Sequence, residues 1–374
     1  AIFNLMNEEI KSIRGVGLLN MGFCNIHMLH NAFIKGLNVF GCNSSDLAIA
    51  LFHYFDGWPA RKEDFRTVLA EKKLKDLCFI KHSTSRWLTL EPAVIRILEL
   101  WDGIVHYFLK FIPLRERKLD SASYKKIVSL LKLPLIKAEL NFVCASSAIL
   151  TKYTRFFQNE GPLVQELYDC IKELLFKIAG RVCKPETLTY LKKSTCVLGD
   201  IFDQDSLLPS KDIVLEKNIL DCLIQCSDVE KRNFMLNVQK HFVTIGCYIL
   251  KKGPLMNELL SILSCIKPGN IKKANSLKKI QEIASLLPFP SKMGDVIDEW
   301  KLLQLEVIEE KPIEKFWSDI FEIQGLNGSV KYMNLKNIIT AVLTLAHGSA
   351  DVERAFSNLV EYYQKRERLC LLER

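Results

Sequence analysis

The sequence predicts a mainly α-helical protein with a small α/β part. Apolar residues recur at three- and four-residue steps over most of its 374 positions, and strand-like runs are few. Proline or glycine punctuates several of the periodic stretches where a helix would start or stop. With 49% apolar and 25% charged residues the chain has the balance of a globular protein. Its length suggests two or three lobes at ~150 residues each.

The elements follow in order. Gly15 to Phe23 holds the one short strand-like run, ahead of a helix that begins near Asn25. Ser44 or Ser45 is placed to cap a helix through Leu47, Leu51, Phe52 and Phe55. Thr89 caps a long helix with Pro92 in its first turn, where a missing N–H is tolerated. Val94, Ile97, Leu98, Trp101, Val105 and Phe108 form its apolar stripe, and Pro113 ends it. A helix after Pro134 carries Leu140, Val143, Leu150, Tyr153 and Phe157 and closes at Gly161-Pro162. Pro162 opens the next, through Leu167, Ile171, Leu174 and Ile178. Further amphipathic stretches run over 213–227, 228–252, 254–265 and 295–306, with loops at 206–211, 267–270, 288–292 and 325–328. There is no repeat of fixed period and no low-complexity tract.

No apolar run reaches the roughly eighteen residues of a membrane span, so none is expected. The net charge of +8 fits an anionic partner without demonstrating one. Its basic residues form short clusters, such as Lys72-Lys73, Lys272-Lys273 and Lys278-Lys279, that read first as solvated helix faces. Twelve cysteines are scattered singly with no Cys-x-x-Cys, and Cys222 and Cys226 would share a helix face. Reduced thiols in an intracellular protein are the expectation. The start at Ala1-Ile2-Phe3-Asn4 has no initiator Met and no signal-peptide pattern, and reads as a chain cut from something longer.

Three constellations carry chemistry. Cys24, His27 and His30 are the residue types that bind zinc, but no second ligand pair lies at a finger-like distance. The plainer alternative is a buried strand-to-helix junction with hydrogen-bonded histidines. In His82-Ser83-Thr84-Ser85-Arg86-Trp87, the Arg grips phosphate and the Trp stacks on a base. Alternatively Trp87 packs on the following helix while Arg86 pairs with a carboxylate. The third runs from His347 to Ser357, with Ser349 a natural N-cap and Asp351 in the first turn. Its Glu353 is either a metal-binding carboxylate or half of a surface ion pair.

In this order, the three segments resemble a hAT-superfamily transposase beyond its second catalytic Asp. Cys24 and His27 match the family's Cys-x-x-His signature, and Arg86 and Trp87 its Arg-Trp pair. Ala350, Glu353, Arg354, Phe356 and Ser357 match its terminal helix motif. The stretches STSRWLTLEPAVIRILELW, FFQNEGPLVQELYD and SLKKIQEIASLLPFP extend the likeness over nearly the whole chain.

The resemblance implies an incomplete ribonuclease-H-like core interrupted by a large all-helical insertion. Residues 1–88 would be a partial core segment, 89–330 the helical insertion, and 331–374 the C-terminal core helices with a truncated hAT dimerisation region. In the ancestral enzyme an Asp-Asp-Glu triad holds two Mg2+ or Mn2+ ions, and Glu353 would be its remnant. Arg86, Trp87 and His27 would face DNA.

The segment ahead of Cys24 holds no Asp, and no zinc finger of the BED type is present. The expectation is therefore a non-catalytic, transposase-derived nuclear protein with no cofactor of its own. It would act by self-association or by binding a protein partner, with possible DNA contact, no membrane and no small-molecule substrate. The alternative is a fragment of an active hAT transposase using two-metal chemistry.

Overall fold

The computed structural model describes residues 2–15, 17–19, 24–84, 89–114, 121–193, 201–289, 291–325, 328–346 and 348. The fold is mainly α, with 73% helix and no sheet among the described residues. Extended pairing is limited to isolated bridges, such as Cys183 with Leu207 and Gln324 with Val330. Of the strand-like run, Gly17 to Leu19 are irregular, and Leu18 N–H is engaged by the Asn7 side chain at 2.6 Å. Residues 16 and 20–23 lie outside the described residues.

The chain forms two compact units. One gathers Leu29–Thr154 and Leu174–Lys251. At its centre, Phe33, Phe40, Phe142 and Phe242 surround His241 with ring centroids 5.1–5.9 Å away, all near edge-on. His241 is 0% exposed, and neither ring nitrogen reaches hydrogen-bond geometry. Burial pushes its pKa down to about 4, the adjacent Gly36 backbone offsetting part of the desolvation. Two glycines allow close packing in this unit. A Cβ on Gly36 would sit 2.7 Å from Ile245 Cγ1, and one on Gly246 only 2.0 Å from the Phe202 ring. A second aromatic cluster joins Tyr54, Phe55, Phe65, Tyr107 and Phe108.

Several expected helices have different ends. The one over Leu47 to Phe55 starts at Asn43 with no side-chain cap. Ser44 and Ser45 are buried inside it, and the Ser45 hydroxyl meets His82 instead. The helix expected from Thr89 to Pro113 is broken into Leu90–Glu99 and Trp101–His106, then a π segment Tyr107–Phe111 and a last turn Ile112–Leu114. Pro113 lies within that turn and does not mark its end. Gly103 lies against Leu69, which a Cβ would meet at 2.8 Å, and the π segment buries both Tyr107 and Phe108. The stretch 213–227 holds only the short helix Lys217–Leu223. Cys226 lies beyond its end, so it and Cys222 do not share a helix face. The long helices Ile136–Phe157 and Asp228–Lys252 fall where the periodicity puts them.

The other unit gathers Ala1–Met28, Arg155–Glu173 and Lys252–Arg374. Two buried tryptophans organise it, and each indole N–H has a partner. Trp300 donates to Ser276 Oγ at 3.2 Å and Trp317 to the Ile266 carbonyl at 3.1 Å. The stretch 254–265 is not one helix, because Asn257 accepts from Leu260 N–H at 3.1 Å and restarts the chain as Glu258–Ile262. The helix Met333–Leu343 is capped from a distance. Glu299, on the helix Met293–Leu305, accepts from Asn334 N–H at 3.1 Å and Leu335 N–H at 2.8 Å.

Among the described residues no helix is long and apolar enough to cross a membrane.

Candidate functional site

The Cys-x-x-His motif sits where the chain enters the helix Asn25–Phe40. Cys24 precedes that helix, its carbonyl accepting Met28 N–H at 2.9 Å as the first turn closes. Its side chain is half-buried and His27 is exposed on the first turn. Gly348, from the other end of the sequence, comes to Cys24: a Cβ on Gly348 would lie 3.9 Å from Cys24 Sγ. Of the third segment, Gly348 alone is described, and it lies beside the first. Ser349 onward, including Ala350, Glu353, Arg354 and Phe356, lies outside the described residues.

Arg86 and Trp87 also lie outside them, but the residues on either side form a defined anchor. The Thr89 hydroxyl accepts from Ser83 N–H at 2.9 Å, tying together the two flanks of the Arg-Trp pair. The His82 ring is clamped by Thr89 Oγ1 at 2.9 Å from Nδ1 and by Ser45 Oγ at 3.1 Å from Nε2. Burial holds its pKa below the ordinary histidine value, so the ring is neutral near pH 7 and uses one nitrogen as donor and the other as acceptor. Thr89 does stand at the N-cap position of Leu90–Glu99, as its place in the sequence predicts, but its hydroxyl serves this anchor and not the helix N-terminus.

No protein family, curated protein or solved structure matches the chain. Among the described residues no three His, Cys, Asp or Glu side chains converge to hold a metal ion. Cys24, His27 and His30 are all described, so the zinc alternative for that trio is not met.

Cys170, Cys183 and Cys265 are free thiols. Burial pushes several thiols upward, Cys265 to about 12 and Cys170 and Cys183 to about 11, which keeps them protonated and poorly nucleophilic at neutral pH.

Proposed function

We propose that the chain is a hAT-transposase-derived scaffold that binds other macromolecules and does not itself cut DNA. On this reading Cys24 and His27 belong to the remnant of a ribonuclease-H-like core, and the helices between Thr89 and 330 are its insertion. Residues from 331 onward carry self-association or a protein partner, and Arg86 and Trp87 retain contact with nucleic acid. The observation that carries the reading is the approach of Gly348 to Cys24. On this reading the signature and the segment that leads to Glu353 come together in the core.

The anchor around His82, Ser83 and Thr89 supports the DNA-contact part, because a grip on phosphate needs its bearing residues held in place. Only Glu353 matches the family's three carboxylates, and two-metal catalysis requires several converging acids.

Two experiments test the proposal. Size-exclusion chromatography with light scattering at tens of micromolar is expected to give a mass above the 42.9 kDa monomer. A strict monomer that also recovers no protein partner removes the scaffold reading. Hairpin-ended DNA is expected to bind with a salt-dependent affinity that falls in Trp87→Ala; unchanged binding leaves only non-specific charge attraction.

Retention of Glu353 favours one second reading, a segment of an active transposase. It predicts Mg2+- or Mn2+-dependent cleavage when the chain is supplied with a segment bearing the two missing aspartates, lost in Glu353→Gln.

A further inference from the structure

We infer that a cleft between the turn at Glu160 to Gln165 and the start of the helix Ile313–Phe321 binds an arginine side chain carried on an extended, proline-containing peptide of a partner protein. The cleft has a volume near 420 Å3, and Phe156, Pro162, Pro268 and Pro312 supply its apolar walls. A second cleft of about 560 Å3 shares Pro162 and Glu314 with it and continues over Phe321 and Leu343. The two clefts adjoin at Pro162 and Glu314.

Three observations define the occupant. The first is an orphaned acceptor. Gln165 is only 3% exposed; its Nε2 donates to the Pro162 carbonyl at 2.8 Å, while its Oε1 has no partner. A buried carbonyl oxygen of this kind is costly unless an N–H donor arrives.

The second is the charge left over. Both lysines lining the first cleft are already neutralised, Lys267 by Glu166 at 2.6 Å and Asp169 at 3.0 Å, and Lys311 by Glu309 at 3.0 Å and Asp319 at 2.9 Å. Glu160 and Glu314 line the same cleft without an ion pair among the described residues. Gly161, at φ +94, leaves open the space beside the Glu314 carboxylate, whose Oε2 would lie 3.6 Å from a Cβ there.

The third is the wall chemistry. Prolines and half-buried aromatic rings match the flat, preformed surface of an extended proline-rich backbone.

A guanidinium meets all three demands. It is planar and carries five N–H donors, so it can pair with a carboxylate and still donate to an amide oxygen. An ammonium group offers a point charge without that fork. Phosphate is the wrong ligand, since the unpaired carboxylates repel it. The first cleft is thus an acidic site on a chain of net charge +8.

The test is calorimetric titration of the full chain with acetyl-Pro-Pro-Arg-Pro-Pro-amide. Its citrulline analogue has the same shape without the charge. Saturable binding is expected, about tenfold weaker for citrulline and about tenfold weaker in Glu314→Gln, as for loss of a charged hydrogen bond. Gln165→Met, which keeps the volume and removes the acceptor, is expected to weaken it as well, while Asp298→Asn, an exposed charge that lines neither cleft, leaves it unchanged. Equal affinity for the two peptides overturns the arginine assignment. So does absence of binding at millimolar peptide, or equal weakening by Asp298→Asn. If Gln165→Met melts at a lower temperature than the parent, the exposed Glu314→Gln variant decides.

Discussion

His241 makes stability depend on pH in a way that one substitution should remove. In the unfolded chain its pKa is the ordinary 6.5, and in the folded unit burial holds it at about 4. Above 6.5 both states carry a neutral ring and the term vanishes. Below 6.5 the unfolded chain takes up a proton that the folded chain refuses, so stability falls as the pH drops from 6.5 toward 4 and then levels off. At ~1.4 kcal/mol per pH unit the full loss is ~3 kcal/mol, a large part of the stability of a typical domain.

His241→Leu conserves volume, removes two nitrogens that lack partners, and abolishes the titration. Urea unfolding of parent and variant between pH 8 and 4.5, followed by circular dichroism, reads the difference directly. The variant is expected to gain on the parent steadily below pH 6.5, reaching about 2 kcal/mol near pH 5. His82, also held down by burial, titrates in both proteins and cancels. Stability curves that stay parallel across this range, or a folded-state His241 resonance titrating near 6.5, would refute the reasoning.

Other outcomes follow from single contacts. Gly246→Ala drives a Cβ into the Phe202 ring and is expected to cost about 1–3 kcal/mol, read as a lower melting temperature. Glu299→Gln removes the charge that caps the helix Met333–Leu343 and is expected to cost about 1 kcal/mol, with faster amide exchange at Asn334 and Leu335. Thr89→Val breaks the tie to Ser83 N–H without emptying the site, so hairpin-DNA affinity should fall while the melting temperature drops by less than for Gly246→Ala.

The long amphipathic helices were legible because burial imposes a 3.6-residue period, and Asp228–Lys252 and Ile136–Phe157 follow it. Helix ends were harder. Ser45 looks like a cap to any local rule, yet its hydroxyl is taken by His82, 37 positions away. Glu299 caps a helix that begins 34 residues later, at Met333, and no window around either position contains that relationship.

The same holds for the sites. Cys24 and His27 stand out by spacing, but that Gly348 meets Cys24 is visible only in the fold. The arginine cleft draws Gln165, Lys267 and Glu314 from three separate stretches, none with a motif of its own. Gln165 becomes informative only when its oxygen is found buried and alone.

The ring of Phe202 against Gly246 has a consequence for how this sequence can change over generations. Neither position is free to drift by itself: a side chain at 246 collides with the ring, and a smaller residue at 202 leaves a void over a bare helix. The two are expected to change as a pair, with Phe202→Leu making room for Gly246→Ala. In descendants of this chain, a methyl group at 246 should therefore travel with the loss of the aromatic ring at 202.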